Sequence, residues 1–266
     1  MYPTTYHRPR NLAEAASLFA GANEARYIAG GQTLIPTMKQ RLAAPSDVID
    51  LSGLSALKGI SATADAVVIG AASTHAEVHN HGAVAKAIPA LAALAGTIGD
   101  PAVREMGTIG GSLANNDPAA DYPAAALALG ATIETDKRKI MAESFFTGLF
   151  STALEEGEIV TRVSFPIPAK AAYEKFRNPA SRYAMTGVFV AKMKDGSVCV
   201  GVTGAGAGGV FRAHAIEAAL TRSWAPAAVD PITIDAAGML SDIHGSAAYR
   251  ANLVKVMARR AVAAAG

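Results

Sequence analysis

Two stretches of this chain place paired glycines directly after short apolar runs. They are Tyr27-Ile28-Ala29-Gly30-Gly31-Gln32-Thr33-Leu34 and Thr108-Ile109-Gly110-Gly111-Ser112, the second running on through Leu113-Ala114-Asn115-Asn116-Asp117-Pro118-Ala119-Ala120-Asp121. Glycine admits positive φ and has no Cβ, so each pair allows a sharp turn or a close approach of backbone to another body. Successive N–H groups in such a turn form a concavity that suits an anion, and a helix starting immediately afterwards adds a favourable dipole. Both stretches fit that description, and together they could clasp one diphosphate from two sides. Each is equally well a tight turn and nothing more. On the residues alone, both readings stay open.

At 266 residues the chain has length for one or two domains and a sizeable core. Its 51% apolar and 17% charged residues describe a globular protein rather than a disordered one. A net charge of +2 gives no reason to expect nucleic acid or an acidic membrane surface. The single cysteine, Cys199, excludes an internal disulfide and a cysteine-ligated iron–sulfur cluster within the chain. In Ser197-Val198-Cys199-Val200 it reads as a buried, inert thiol. Met1 to Arg10 lacks the apolar core of a secretory signal. The most apolar run, Ala83 to Gly99, is interrupted by Lys86, Pro89 and Gly96 and is too short to span a bilayer. A soluble, cytoplasmic protein with no membrane span is the expectation.

Along the chain, Asn11-Leu12-Ala13-Glu14 has the form of a capping box, and Leu12, Ala15, Ala16 and Phe19 recur at helical spacing up to Gly21. A strand at Arg26–Ala29, the Gly30-Gly31 turn, a helix at Leu34–Arg41 and a strand at Asp47–Leu51 complete a small α/β unit. From Leu57 the spacing predicts a hairpin (Leu57–Ile60 and Ala66–Gly70), a helix from Thr74 through His79 and a second over Ala83–Leu94. The Gly107–Ser112 loop follows, then a helix over Tyr122–Leu129 and strands at Ala131–Thr135 and Ile159–Phe165. Pro166–Ala172 is the best linker candidate. Beyond it, Tyr173–Arg177, Gly187–Met193 and Val198–Thr203 read as three antiparallel strands, with helices over Phe211–Leu220 and Ala247–Ala264.

Other motifs point elsewhere less firmly. Gly204-Ala205-Gly206-Ala207-Gly208-Gly209 satisfies G-x-G-x-x-G but lacks a returning parallel strand with an acidic end, so it reads as a strand-to-helix turn. His75 and His79 have metal-binding i, i+4 spacing, with His81 close by, but no carboxylate or cysteine completes a site; a solvated helix end is the simpler reading. No G-x-S-x-G context accompanies the serines, and no metal site or catalytic residue is assigned.

Taken with their flanks, the two glycine loops resemble the FAD-binding medium subunit of molybdenum hydroxylases, the family of carbon monoxide dehydrogenase and xanthine dehydrogenase. The resemblance runs through Tyr6-His7-Arg8-Pro9, both loops, Asp117-Pro118-Ala119-Ala120-Asp121-Tyr122-Pro123, Pro179-Ala180-Ser181-Arg182-Tyr183-Ala184, Thr203-Gly204-Ala205-Gly206 and Asp242-Ile243-His244-Gly245-Ser246-Ala247-Ala248-Tyr249-Arg250, nearly the whole chain. It implies an α+β fold: a two-part FAD-binding domain of the PCMH or vanillyl-alcohol-oxidase-like type over 1–170, with subdomains of about 1–54 and 55–170. A small C-terminal domain, a three-stranded antiparallel sheet with helices, would fill 171–266.

By the same resemblance Tyr27, Ile28, Ala29, Gly30, Gly31, Gln32, Thr33 and Leu34, with Thr108, Ile109, Gly110, Gly111 and Ser112, hold the FAD pyrophosphate through backbone N–H groups. Asp121 matches the position binding the adenosine part, Ile98 and Val160 match apolar positions beside the cofactor, Lys175 matches a cation near the isoalloxazine, and Tyr183 matches a residue shielding one ring face. Ser112 stands where asparagine is common and Thr33 where serine is common; both keep a hydrogen-bonding side chain. The resemblance implies a non-covalent FAD electron-transfer subunit, with [2Fe-2S] clusters on a small partner subunit and molybdopterin on a large one, in a dimer of heterotrimers. A standalone flavin oxidase of the same fold and a flavinless assembly protein are the alternatives.

Overall fold

In the computed structural model, which describes residues 1–266, the first unit is a parallel sheet of three short strands. Its elements are β1 (Thr5–His7), α1 (Leu12–Ala20), β2 (Ala25–Ile28), α2 (Leu34–Lys39) and β3 (Asp47–Asp50), with sheet order β1-β3-β2. Parallel neighbours cannot be joined by a tight turn, so a helix must carry the chain back. The Asn11 side chain caps α1 by accepting the Glu14 N–H at 2.9 Å. Glu14 turns to the Arg10 N–H instead of that of Asn11, so the expected reciprocal cap is half formed. Strand β1, absent from the sequence reading, carries mostly exposed residues and is tied to β3 by His7 Nε2–Asp47 Oδ1 (2.7 Å) and Tyr6 Oη–Asp50 Oδ2 (2.5 Å). The Gly30-Gly31 turn leaves the carboxyl end of β2, the end at which open α/β sheets present their ligands.

The middle unit is an antiparallel sheet with strand order β4-β5-β10-β6-β7. Its elements are β4 (Ile60–Ala62), β5 (Ala66–Gly70), α3 (His75–Asn80), α4 (Gly82–Ala87), α5 (Pro89–Gly96), α6 (Pro101–Met106), α7 (Ile109–Asn115), α8 (Tyr122–Ala128), β6 (Thr132–Thr135), β7 (Lys139–Met141), α9 (Ala142–Phe145), a ribbon of β8 (Phe146–Gly148) and β9 (Ser151–Thr152), and β10 (Val160–Pro166). The helix expected over Ala83–Leu94 is two helices, because Pro89 drives Ile88 out of the helical region, to φ −138° and ψ 73°. The second glycine pair is not a free loop: Gly110 and Gly111 lie in the first turn of α7, capped by Thr108 Oγ1, which accepts the Gly111 N–H at 3.1 Å. Helix α8 is buried along its whole length, which suits a sequence with no charged residue.

The C-terminal sheet has four antiparallel strands, β11 (Lys170–Arg177), β12 (Ala184–Lys192), β13 (Val198–Thr203) and the short β14 (Phe211–Arg212), followed by α10 (His214–Arg222) and α11 (Ala247–Ala265). The three expected strands are present, and β14 replaces the start of the helix expected at Phe211. There Arg212 pairs with Gly201 on β13 and its guanidinium binds Glu217 at 2.9 Å, which fixes the chain's entry into α10. Strand β12 is covered on both faces: Val188 and Val190 pack among Ile216, Leu220, Val254 and Met257, while Phe189 and Ala191 join the core of the middle unit. Double coverage explains the consecutive apolar residues Val188 to Ala191. The candidate linker is tightly held: three residues separate β10 from β11, with Ile167 N–H bound to Asp65 O and Ala169 N–H to Lys192 O. We retain 1–170 and 171–266, with a subdivision near 54, as a proposed division of the chain.

The C-terminal sheet grips the site-bearing segment of the middle unit. Thr203 Oγ1 donates to Ala120 O at 2.6 Å, and Gly204 N–H donates to Pro118 O at 2.8 Å. Gly201 lies so close to α8 that an added Cβ would sit 2.1 Å from Ala124 O. Gly201→Ala is therefore expected to lower stability by about 1–3 kcal/mol, read as a lower urea midpoint at unchanged slope. An unchanged midpoint would show that α8 retreats from the sheet at no cost.

Candidate functional site

All three units contribute to one large cavity of about 1010 Å³, at the upper end of the roughly 300–1,000 Å³ usual for small-molecule sites. Every residue that the sequence singled out for the cofactor lines it except Ile109 and Lys175. Tyr27 to Leu34 form one wall; Ile98, Thr108, Gly110, Gly111, Ser112, Asp121 and Val160 come from the middle unit; Tyr183 comes from the C-terminal one. Residues more than 150 positions apart thus share one surface.

The two glycine segments touch. A Cβ on Gly30 would lie 2.0 Å from Met106 O and 2.7 Å from Gly107 Cα, so only glycine lets the first loop lie against the approach to the second. Gly31 then takes φ +69°, a left-handed turn open to glycine without strain. The N–H groups of Gly30, Gly31, Gln32, Thr33 and Leu34 have no acceptor within the chain. Five successive unpaired donors on a cavity wall are the arrangement a diphosphate requires, since its two charges must be met by fixed dipoles. The residues present therefore fit the FAD that the resemblance implies.

The second segment is organised differently from the expectation. Ile109 N–H donates to Ser73 O, Gly110 N–H to Ala71 O and Ser112 N–H to Thr108 O, while Gly111 N–H is held by Thr108 Oγ1. Two of these amides dock α7 against Ala71–Ser73, and the other two close its first turn onto Thr108. What this side offers the cavity is the Thr108 N–H, which has no acceptor in the chain, and the hydroxyls of Thr108 and Ser112. Ile109 itself is wholly buried in the core.

Lys175 also lies behind the wall rather than on it. Its side chain is 3% exposed, and Nζ donates to Asp121 Oδ1 at 2.9 Å and to Thr97 O at 3.0 Å. Tyr173 Oη donates to the same oxygen at 2.5 Å. Burial pushes the Asp121 carboxyl up, opposed by the Lys175 ammonium and the Tyr173 hydroxyl. Burial and Asp121 together hold the Tyr173 hydroxyl protonated. Asp121 Oδ2 has no hydrogen-bond partner in the chain, and the residue lines the cavity. The sequence reading put Asp121 at the adenosine and Lys175 at the isoalloxazine, opposite ends of an extended dinucleotide. Two residues in direct contact cannot serve both ends, and we propose that Lys175, buried behind the wall, acts as the counter-ion that positions Asp121.

Phe150 and His75 are among the lining residues that the sequence did not assign to the cofactor. Phe150 caps the β8–β9 ribbon at φ +53°, 62% exposed. Its backbone is held by Asn116, which accepts the Phe150 N–H and donates from Nδ2 to Gly148 O and Ser151 O at 2.8 Å each. Nothing local in the sequence signals this clamp, which joins positions more than 30 apart. His75 was read as part of a solvated helix end; it is 5% exposed and lines the cavity. Burial and the nearby Arg104 guanidinium push its imidazole down to about 4. The Thr74–Glu77 capping box was the available signal, because it places position 75 in the first turn of α3 rather than at its far end. His79 is engaged with Ala92 O at 2.8 Å. The G-x-G-x-x-G segment joins β13 to β14 and borders a separate cavity of about 510 Å³ with Phe211 and His214.

One wall, Leu154 to Val160, is held by an ion pair. Arg138 binds Glu158 through Nε (3.1 Å) and Nη2 (3.0 Å), and Thr135 Oγ1 adds a third bond at 2.7 Å. These lower the Glu158 carboxyl to about 2 from its ordinary 4.5. A carboxyl lowered in the folded state contributes stability that is complete above the unfolded value and is lost as pH falls. The wild type should lose stability between about pH 4.5 and 2 more steeply than Glu158→Gln; parallel acid-unfolding curves would contradict this.

Residues 2–168 match the family model described as the FAD binding domain in molybdopterin dehydrogenase. The carbon monoxide dehydrogenase medium chain of Afipia carboxidovorans is 37% identical over 97% of this chain and 94% of its own length. The nicotine 6-hydroxylase medium subunit of Paenarthrobacter nicotinovorans is 36% identical over 98% and 96%. The structure of carbon monoxide dehydrogenase from Hydrogenophaga pseudoflava superposes with a TM-score of 0.90 at 33% identity, covering 100% of this chain and 98% of that one. No helix is long and apolar enough to cross a membrane. Alike in sequence, in fold and over nearly its whole length, the chain belongs to the family of FAD-binding medium subunits of molybdenum hydroxylases.

Proposed function

We propose that this chain is the FAD-carrying electron-transfer subunit of a heteromeric molybdopterin hydroxylase. It would pass electrons from iron–sulfur clusters on a small partner subunit, supplied by a molybdopterin-bearing large subunit, to an external acceptor. A bound flavin supplies the redox chemistry, accepting and releasing electrons singly or as a pair. The observation that carries this reading is the row of unpaired N–H groups from Gly30 to Leu34 on the wall of a dinucleotide-sized cavity. With one cysteine, the chain cannot ligate a cluster itself. The two medium chains compared above belong to proteins named for carbon monoxide and for nicotine; substrate choice on this reading resides in the large subunit. A dimer of heterotrimers in the cytoplasm is the assembly we propose.

Within the chain, the first loop's amides, the Thr108 N–H and the Thr108 and Ser112 hydroxyls would hold the diphosphate. Ile98 and Val160 would give the rings apolar surface, Asp121 Oδ2 would accept a hydrogen bond, and Tyr183, 55% exposed at the cavity rim, would cover a ring face.

Purified full chain should take up one equivalent of FAD and show a flavin absorbance spectrum. Gly111→Val should weaken that uptake at least tenfold while leaving the unfolding midpoint nearly unchanged, because a Cβ there meets only Thr108 Oγ1, at 3.0 Å. Undiminished uptake by the variant would place the diphosphate elsewhere. Purification from the native source should bring along a cluster-bearing chain and a molybdopterin-bearing chain; a protein that never associates with them is not the subunit proposed.

A further inference from the structure

His75 stands where the two glycine segments meet. Its N–H donates to Gly107 O at 2.9 Å, and a Cβ on Gly107 would come within 2.7 Å of its Nε2. Gly30 presses on the same Met106–Gly107 backbone. The imidazole is thus packed against a place where both halves of the candidate diphosphate cradle touch. It is 5% exposed and lines the cavity, yet neither ring nitrogen has a hydrogen-bond partner in the chain. A buried polar ring with no partner calls for an explanation, since unmatched groups of this kind are rare in folded proteins.

Solvation decides which nitrogen carries the proton. Nδ1 is sealed from solvent, and the imidazole as a whole lies tilted against the ring of Tyr122 at a centroid separation of 5.4 Å. Nε2 is not sealed in this way. A proton on Nδ1 would bury a donor with nothing to receive it, whereas a proton on Nε2 leaves only a lone pair inside. The favoured tautomer therefore presents Nε2–H to the cavity. The charged form is disfavoured by burial and by Arg104, whose own guanidinium is engaged with Ile98 O and Gly99 O. The ring acts as a donor, not as a cation.

We propose that His75 is a direct cofactor contact whose Nε2–H donates to a phosphate oxygen of the dinucleotide held between the two glycine segments, a role that rests on reading this cavity as an FAD site. It complements the five amides of the first loop, which approach from one side only, and supplies the donor that the committed amides of α7 do not. Phenylalanine at this position keeps the ring and its packing on Tyr122 while removing the donor. Glutamine removes the ring and returns a donor of similar reach.

The full chain, stripped of flavin, is titrated with FAD and separately with ADP, which retains the diphosphate without the flavin. His75→Phe is expected to weaken both ligands about ten- to hundredfold, the range for one hydrogen bond to a charged group. His75→Gln is expected to recover most of that loss, and flavin-free His75→Phe to melt no lower than wild type because a buried unpaired nitrogen has gone. A variant-free readout uses protein with ¹⁵N-labelled histidine, in which the Nε2 resonance of His75 should move on ADP addition. Equal affinity of His75→Phe and wild type, a His75→Gln protein as weak as His75→Phe, or an unmoved Nε2 resonance in an ADP-bound chain each overturns the contact while leaving the FAD reading intact. Wild type that binds neither ligand overturns both.

Discussion

The contact between the backbone at Gly30 and the backbone at Met106–Gly107 is the constraint on which the rest of the site depends. With 2.0 Å between a notional Cβ and Met106 O, any side chain at position 30 would push the N-terminal α/β unit away from the middle unit. The cavity exists because those two units close on each other there. Close approach also explains the division of labour between the loops. The first is free to turn its amides outward, while the second is anchored through Ser73 O and Ala71 O and forms the rigid face against which the first is set.

A second close approach, between Gly201 and Ala124 O, does for the far end of the cavity what Gly30 does for the near end. It lets the C-terminal sheet lie on α8, and Thr203 and Gly204 then hold the carbonyls of Pro118 and Ala120. The Asp117–Asp121 segment is thereby suspended between two units. Asp121 is kept in place by Lys175 and Tyr173, both on β11. Buried charge pairs of this kind contribute less to stability than to geometry, since desolvation offsets much of their attraction. Here the geometry aims the unbonded Asp121 oxygen at the cavity.

Much of the architecture was legible because its causes are local. Asn11, Thr74 and Ser246 cap the helices that follow them. The apolar alternation of β10 and the consecutive apolar residues Val188 to Ala191 of β12 mark a half-covered and a doubly covered strand. Where the reading failed, the deciding partner was distant in sequence. Strand β1 forms only because β3 offers it an edge more than 40 residues later, and β14 forms because Arg212 has Gly201 to pair with. The break at Ile88 is the exception: its cause, Pro89, is the next residue, and the single helix read over Ala83–Leu94 passed over it.

By itself, the sequence determined that two glycine turns sit at strand or helix boundaries, that the chain cannot ligate a cluster, and that its motifs resemble those of a flavin-carrying subunit. Backbone freedom, ligand chemistry and residue pattern are properties of short segments, and they survive without coordinates. Only the tertiary structure decided which amides remain unpaired, because that depends on whether Ser73 O and Ala71 O arrive to take them. It alone placed Lys175 against Asp121 and turned His75 from an apparent surface residue into a buried ring at the junction of the two loops. Hydrogen-bond satisfaction and burial are fixed by what folds against a residue, and those neighbours lie tens to more than a hundred positions away.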